Sequence, residues 1–588
     1  MKSLVKYLRD YKKETVLSPL FKLLEATFEL FVPLVMASII DKGIGSGEKG
    51  YILQMCLVLV ALGVIGLVCS ITAQFFAAKA AVGFAAKLRH SLYDHIQSLS
   101  FSEIDTLGTS TLITRMTSDV NQVQNGVNLT LRLLLRSPFI VFGAMIMAFT
   151  IDVKAALVFV VAIPLLSAVV FLIMYFSIPL YKKVQGSLDR VLMLTRENLT
   201  GARVIRAFNK EQDEIDIFEE ENHGLTKLQM FVGRISALMN PVTYIIINGA
   251  IAALIYIGAI RVDSGALTQG EVVALVNYMS QILVELVKMA NLIITVTKAL
   301  ACAKRIENVF DIESAITEEE QIAGAVEESP FIEFKNVSFA YSGAGENAIS
   351  NISFTVNRGE TIGIIGGTGC GKSTIVSLIP RYYDATDGEV LIQGVNVKQM
   401  KLSNVRQMVG MVMQKAVLFK GTIRENMQWG KKDARDEEIY EALDISQSRE
   451  FVENKPLKLD EPVEQGGKNL SGGQKQRLTI ARALVRKPQI LILDDSASAL
   501  DFATDARLRK ALKDMNEKMS HTLTTFIVSQ RTSSIQHADK IIVLEDGEML
   551  DIGTHEELLK RCETYKEIHH TQIPEEPAKE NTSAEEAE

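Results

Sequence analysis

Paired cysteines are missing from this chain. Its five cysteines, Cys56, Cys69, Cys302, Cys370 and Cys562, are scattered over 588 residues with no recurrent spacing. This argues against a disulfide framework or a zinc site, and isolated thiols facing lipid or a reducing cytosol fit better. An excess of positive charge is missing as well: 62 Lys and Arg face 70 Asp and Glu, for a net charge of -8. Nothing in that balance points to nucleic acid as a partner. The N-terminus, MKSLVKYLRDYKKETV, lacks the short apolar core and small-residue cleavage site of a removable signal. Being basic and amphipathic, it reads as an interfacial helix leading into an apolar run. The last 14 residues, EEPAKENTSAEEAE, lack any apolar side chain larger than alanine and hold six acids, which reads as a disordered tail.

What the chain does have is apolar weight, unevenly placed. Charged residues make up 22% and the mean hydropathy is +0.17, high for a purely soluble protein. A chain this long holds two to four domains by ordinary size. A bilayer core needs about 20 mostly apolar residues per helix. Six stretches qualify: 17–40, 51–80, 132–151, 155–180, 239–260 and 270–298. Residues 41–50, 152–154 and 261–269 are short connections, whereas 81–131 and 181–238 are long, charged and helical in pattern. Lys2, Lys6, Arg9, Lys12 and Lys13 precede the first stretch, and Lys87, Arg89, Arg115, Lys182, Lys183, Arg203, Arg206 and Lys210 sit in the long hairpins. Positive charge marks the cytoplasmic side, so the N-terminus, the hairpins and, after an even number of spans, the C-terminal half are expected there. Within the spans, Glu285 and Lys288 share a helix face, and Gln74 and Asn248 lie in apolar runs. They read either as interhelical glue with an i,i+3 pair or as groups facing a water-filled interior.

The second half carries phosphate chemistry. After the alternating strand FIEFKNVSFAYS comes ETIGIIGGTGCGKST, in which Gly366, Gly367, Thr368, Gly369, Cys370, Gly371, Lys372 and Ser373 match G-x-x-x-x-G-K-[ST]. Glycines let backbone N–H groups wrap a phosphate, the helix starting near Lys372 adds its positive end, Lys372 adds a charge, and the Ser373 hydroxyl serves Mg²⁺. The apolar strand QILILDD ends in Asp494, placed to hold Mg²⁺ beside Ser373. Between them, NLSGGQKQRLTIARAL opens a second phosphate-shaped helix N-terminus. One nucleotide hardly needs two cradles on one chain, so two facing domains that complete each other's sites are the economical explanation.

Six spans with long hairpins, then GGTGCGKST, LSGGQ and LILDD in this order, resemble a half-transporter of the ATP-binding cassette (ABC) exporter superfamily, over nearly the whole chain. The fold class implied is a membrane α-helical bundle of six transmembrane helices with long cytoplasmic extensions, fused to an α/β P-loop ATPase domain. The expected divisions are 1–312 for the membrane domain, 313–330 for a linker, 331–568 for the ATP-binding cassette and 569–588 for the tail. The resemblance implies that Tyr341 stacks on adenine, that residues 366–373 with Thr374 bind ATP, and that Gln414 reaches Mg²⁺ with Ser373 and Asp494. It implies that Leu470, Ser471, Gly472, Gly473 and Gln474 complete a partner's ATP site and that Asp501 communicates across the dimer. Coupling helices are expected near 105–113 and 209–217.

Two positions depart from the family pattern. The glutamate that polarises the attacking water is replaced by Asp495, and the histidine that contacts the γ-phosphate by Gln530. The first change withdraws a carboxylate by one methylene, and a misplacement of about 1 Å can cost about 100-fold in rate. The second removes a group able to become cationic. Gln465 also stands where many relatives have glutamate. With LSGGQ intact, the pattern resembles the degenerate-site subunit of a heterodimeric bacterial multidrug exporter. ATP and Mg²⁺ are the expected ligands, a second and non-identical half-transporter the expected partner, and the plasma membrane the expected location. A mostly apolar bundle favours lipophilic substrates, drugs or lipids, with peptides left open; the absence of an N-terminal peptidase domain counts against a processing peptide exporter. The alternatives are a homodimer using Asp495 as a slow base, which predicts activity from this chain alone, and an ATP-gated regulator that does not pump. Importers normally split the two parts into separate chains.

Overall fold

The computed structural model describes residues 2–317, 329–518 and 522–572, so most of the linker expected at 313–330 and of the tail expected at 569–588 lies outside the described residues. The chain divides into two compact units, Met1–Gln97 with Thr109–Ile312 and Ser98–Gly108 with Glu313–Glu588.

Among the described residues, six helical stretches of the first unit are long and apolar enough to cross a membrane: Lys6–Ile44, Lys49–Ser98, Thr109–Ile151, Val153–Thr200, Glu211–Asp263 and Gln269–Phe310. They run from 39 to 53 residues. At about 1.5 Å per residue each is roughly twice as long as a 30 Å hydrocarbon core requires. The six expected spans are the apolar portions of these helices. The connection expected at 152–154 is tighter still. Asp152 alone, in extended conformation, separates the helices ending at Ile151 and starting at Val153. Its Oδ1 accepts the Ala155 N–H at 2.8 Å and its Oδ2 accepts Arg261 Nη2 at 2.5 Å, so one carboxylate caps one helix and ties it to another. Asp41 does similar work, accepting from Thr268 Oγ1 at 2.5 Å and from the Gly270 N–H at 2.7 Å. A Cβ on Gly270 would sit 2.4 Å from the Ala37 carbonyl oxygen, so only glycine permits this crossing.

The core of this unit is rich in small residues, with Ala26, Ala144, Ala148, Ala155, Ala156 and Ala274 packed around Phe159, Leu254, Leu275 and Tyr278. Lipid tails are as apolar as leucine, so close packing of small faces and buried polar contacts hold such helices together. The Glu285 carboxylate supplies the polar part. It is buried, and it accepts from Arg136 Nη1 at 2.6 Å, Ser137 Oγ at 2.8 Å and Lys288 Nζ at 2.8 Å. Arg136 Nη2 also donates to Glu29 Oε2 at 2.6 Å. The expected Glu285–Lys288 pair is therefore made, within a larger network joining three helices. Gln74 and Asn248 instead lie exposed on the surface of the unit. Removing Glu285 would leave the buried Arg136 guanidinium with Glu29 as its remaining carboxylate partner, and breaking a buried pair costs about 3–5 kcal/mol. Glu285→Ala is expected to lower the unfolding midpoint of the purified chain strongly, and the double variant Arg136→Met/Glu285→Met to recover most of the loss. Equal destabilisation by single and double variants would show that the pairing is not what matters.

In the second unit the strands are β1 (Ile332–Phe339), β2 (Ile349–Val356), β3 (Thr361–Gly366), β4 (Asp387–Ile392), β5 (Val395–Asn396), β6 (Val409–Val412), β7 (Gly421–Thr422), β8 (Pro462–Val463), β9 (Ile490–Asp494), β10 (Thr524–Val528), β11 (Lys540–Glu545) and β12 (Glu548–Gly553). An antiparallel sheet has the order β2-β1-β4-β5, and a larger sheet the order β12-β11-β3-β10-β9-β6. In the larger sheet all but β12 run parallel. Parallel strands are covered on both faces, which is why TIGII, ILIL and TTFIV read as unbroken apolar runs. Alternate residues serve opposite faces: Leu491, Leu493, Ile527, Ile541 and Val543 join one apolar cluster, and Ile490, Ile492, Phe526, Val528 and Ile542 the other.

The helix Glu563–Gln572 carries the ATPase unit past 568, so residues 569–572 are folded. Around the region 105–113, the chain forms two short helices, Phe101–Leu107 and Thr109–Thr114. The helix Phe101–Leu107, capped by Ser100 and Glu103 and ended by Gly108 at φ +74°, belongs to the second unit. There Phe101 lies 4.5 Å from the ring of Tyr382, and Asp105 accepts from Tyr383 Oη at 2.6 Å. The region 209–217 instead holds the start of the long helix Glu211–Ala237, with the acids Glu211, Asp213 and Glu214 in its first turn, and a short helix, Ala202–Ala207, precedes it.

Candidate nucleotide site

Sheet order builds the site. Because β10 lies between β3 and β9, the loop after β3, the acid ending β9 and the residues after β10 meet at one edge of the sheet. This is where open α/β sheets bind ligands, outside the carboxyl ends of their strands.

The loop after β3 is shaped by glycines that no other residue replaces. Gly366, Gly369 and Gly371 have φ of +156°, +86° and +91°. A Cβ on Gly366 would lie 2.1 Å from the Leu544 carbonyl oxygen, and one on Gly371 would lie 2.4 Å from Ile349. The helix Lys372–Leu378 follows directly. Lys372 is buried and its ammonium donates to the carbonyl oxygens of Gly366, at 2.9 Å, and Gly367. The same chain thus supplies a backbone cradle, a helix N-terminus and a cation folded over the loop, a set that fits a polyphosphate.

Ser373 Oγ donates to Asp494 Oδ1 at 2.9 Å, so the two residues expected to share a metal already touch. Hydroxyl and carboxylate oxygens are the donor set that Mg²⁺ selects. Burial pushes the Asp494 carboxyl above the usual carboxylate range, with the neighbouring Asp495 charge adding to it and Ser373 and Lys372 opposing it. Asp495 is half-buried with φ +44° and ψ 32°, a left-handed conformation that aspartate tolerates better than most. Its Oδ2 accepts from Gln414 Nε2 at 3.2 Å. Ser373, Asp494, Asp495 and Gln414 are therefore one cluster. Gln530 is exposed at the end of β10. Its backbone carbonyl accepts from Gln572 Nε2 at 2.6 Å, and Gln572 Oε1 accepts the Thr532 N–H at 2.9 Å. Sequence reading missed this brace because it placed Gln572 in the tail.

Tyr341 is partly exposed, with its hydroxyl 3.1 Å from Thr374 Oγ1. Its ring meets those of Phe339 and Tyr383 edge-on at 4.9 and 5.4 Å. Burial, then the Asp105 carboxylate, pushes the Tyr383 phenol well above its ordinary value, so Tyr383 stays a proton donor to Asp105. Spacing in the sequence gave no signal for this chain of rings, since Asp105 and Tyr383 are 278 positions apart.

The signature segment sits elsewhere on the unit. Ser471 caps the helix Gly472–Val485: its hydroxyl accepts the Gln474 N–H at 3.3 Å, while Gln474 Oε1 accepts the Ser471 N–H at 3.1 Å. Leu470 is buried as an anchor, whereas Ser471 and Gly472 are exposed and nothing stands within 4 Å of a Cβ on Gly472. Gly473 packs close to the Ala499 carbonyl. Asp501 caps the helix Phe502–Lys518, accepting from Thr504 N and Oγ1 at 2.8 Å each, and these bonds hold its carboxyl below the usual range.

A P-loop ATPase domain on a six-helix membrane domain is the class that this fold and site define. Residues 15–286 match the family model described as the ABC transporter transmembrane region, and residues 349–498 match the one described as ABC transporter. The chain is 35% identical over 97% of its length to YfiB of Bacillus subtilis, an uncharacterized ABC transporter ATP-binding protein, and covers 99% of it. It is 33% identical to YgaD of the same organism, described as a candidate multidrug export ATP-binding/permease protein, with 97% and 98% of the two chains covered. It is 32% identical to the ATP-dependent lipid A-core flippase of Syntrophus aciditrophicus, with 83% and 80% covered. The structure of a bacterial Atm1-family ABC exporter with ATP bound superposes with a TM-score of 0.79 over 96% of this chain and 99% of that one, at 22% identity, which speaks for the fold. The chain belongs to the ABC transporter family. It is a multi-pass membrane protein, an ATP-driven exporter half-transporter of the kind that dimerises.

Asp494 provides a test of the site's electrostatics. A carboxyl whose folded pKa is raised binds its proton more tightly in the folded state, so its contribution favours folding at low pH and is lost as pH rises through the raised value. At neutral pH, without metal, its ionised form works against the fold. Asp494→Asn is expected to raise the melting temperature of the metal-free chain at pH 7 by about 2–4 °C, as roughly 1 kcal/mol would for a domain this size. The gain should shrink as pH falls into the carboxylate range, and stabilisation by Mg²⁺-ATP should disappear. An unchanged or lowered melting temperature at pH 7 would count against an unfavourable buried charge.

Proposed function

We propose that this chain is the degenerate-site subunit of a heterodimeric bacterial exporter that moves lipophilic compounds, drugs or lipids, out of the cytoplasm. The observation that carries the reading is that Asp495 and Gln530 replace two hydrolytic groups at one site, while the Ser471–Gln474 turn is intact and its Ser471 and Gly472 are exposed. A head-to-tail dimer uses this turn to complete the partner's site and leaves the deficient site on this chain's own phosphate loop.

On this reading Tyr341 stacks on adenine, and the N–H groups of Gly366–Thr374 cradle the phosphates. Lys372 leaves the loop carbonyls for the β- and γ-phosphates. Ser373, Asp494 and Gln414 hold Mg²⁺, which supplies neutralisation of phosphate charge when bound. Asp495, one methylene short and already bonded to Gln414, is too far back to polarise a water well. Gln530 offers a hydrogen bond and no charge. ATP therefore stays bound here as a clamp, while hydrolysis at the partner's site reopens the dimer. ATP drives the cycle because it binds the closed state preferentially. Asp501 communicates across the dimer, and the hairpin ends carry closure to a plasma-membrane domain with both termini in the cytoplasm. The names of YgaD and of the lipid A-core flippase support a drug or lipid substrate. One observation favours a second reading, a homodimer with Asp495 as a slow base: Asp495 does stand in the cluster with Gln414, Ser373 and Asp494.

The two readings separate on Mg²⁺-ATPase rate in lipid nanodiscs. This chain alone should hydrolyse slowly, with a strong gain in a one-to-one complex with a non-identical half-transporter. Restoring both groups with Asp495→Glu/Gln530→His should raise its own rate by about 10- to 100-fold, the scale of a 1 Å repositioning together with a recovered charged contact. Vigorous hydrolysis by the unaltered chain alone, abolished by Asp495→Asn, would make it a homodimeric pump.

A further inference from the structure

An apolar groove of about 180 Å³ opens on the membrane unit beside the N-terminal helical segment. Leu4 and Leu8 of that segment, Phe84, Val127, Leu300 and Ala303 are among its walls. That is about the volume that six water molecules occupy in the liquid, at roughly 30 Å³ each. Its floor cannot collapse to fill it. The helices carrying Gly126 and Ala299 already touch, and a Cβ on Gly126 would lie 2.3 Å from that of Ala299.

The position of the groove follows from the hydropathy pattern. Phe84 lies just after the apolar stretch 51–80, Val127 just before 132–151, and Leu300 just after 270–298. Three helices therefore bring membrane-boundary residues to the same level, and the N-terminal segment with its interfacial composition lies there too. A groove at that depth is met by lipid, with chain on one side and headgroup on the other.

Charge selects the lipid. In the N-terminal segment Asp10 is paired with Lys87, and Glu14 with Lys79 at 2.9 Å. Lys6, Arg9, Lys12 and Lys13 are exposed and have no ion-pair partner among the described residues. The acids are neutralised from outside the segment while its cations are left open, which leaves the N-terminal segment that walls the groove positive. We propose that this groove is a binding site for an anionic phospholipid, one acyl chain lying against Leu4, Leu8 and Val127 and the phosphate headgroup on the N-terminal cations. The site concerns the membrane unit alone and stands apart from the reading of the nucleotide site.

Native mass spectrometry of the full chain purified in detergent tests it, with phosphatidylglycerol, phosphatidylcholine and palmitate added separately. Phosphatidylglycerol is expected to be retained at least about fivefold over phosphatidylcholine, the effect of roughly one unpaired cation near a phosphate. Val127→Trp, which fills the groove, should bring phosphatidylglycerol down to the phosphatidylcholine level. Lys6→Glu/Arg9→Glu should abolish the preference between headgroups. Equal retention of the two phospholipids by the unaltered chain, or stronger retention of palmitate than of phosphatidylglycerol, overturns the proposal. Should Val127→Trp fail to fold, a diazirine-tailed phosphatidylglycerol on the unaltered chain decides the matter. Adducts concentrated in residues 123–131 and 296–303 support the site, and adducts spread evenly over the lipid-facing helices refute it.

Discussion

A carboxylate at the buried end of an apolar strand constrains everything around it. Asp494 terminates Ile490–Leu493, four side chains that are each almost wholly excluded from water. Placing an ionised group there is unfavourable unless hydrogen bonds and opposite charge meet it. Ser373 meets it directly, and Lys372 contributes from the same turn. That requires the helix after the phosphate loop to begin beside the end of β9, which the order β3-β10-β9 allows. The glycines then follow from the same requirement. With Leu544 and Ile349 packed against the loop, the chain can turn from β3 into that helix only where no Cβ stands.

The membrane unit solves an analogous problem with different means. Glu285 is as deeply buried as Asp494, yet it is met by two cations and a hydroxyl. Each partner comes from a defined helix position, so the network fixes the rotation of the helices as well as their contact. Alanine-rich packing is tolerant of small rotations, and a multiply bonded carboxylate is not. Asp152 and Asp41 act similarly at the short connections, where one carboxylate caps a helix and holds a neighbour.

The two halves differ in how much of them a linear reading could reach. Strand runs such as ILIL and TTFIV and the loop GGTGCGKS announce themselves because their signal is local: an apolar period, or glycines at fixed offsets before Lys-Ser. Asp494 and Ser373 were expected to meet because the motif pairing implies a geometry. Glu285–Lys288 was legible for the same reason, as an i,i+3 pair. Arg136 was not, because it lies 149 positions away and only the packing of the third and sixth long helices brings it near. The helix Phe101–Leu107 is weakly marked in the sequence, since its start depends on the Ser100–Glu103 cap and its end on Gly108, signals weaker than the apolar runs around them. Gln572 was lost to the tail because the acidic composition after it spoke louder than the amphipathic helix before it.

The cap on Asp501 and the turn at Asp495 each fix where a carboxylate points. Each carboxylate oxygen of Asp501 accepts one bond from Thr504 while the residue stays exposed, so its orientation is fixed by the helix start that it caps. Asp495 is different. Left-handed backbone at a residue other than glycine costs of order 1–3 kcal/mol and persists where the surroundings enforce it. Here the Asp495 N–H is held by the Val528 carbonyl at 3.0 Å, and its side chain by Gln414. The left-handed turn is thus held at energetic cost by contacts from β10 and Gln414, and it keeps the Asp495 side chain next to the Ser373–Asp494 pair.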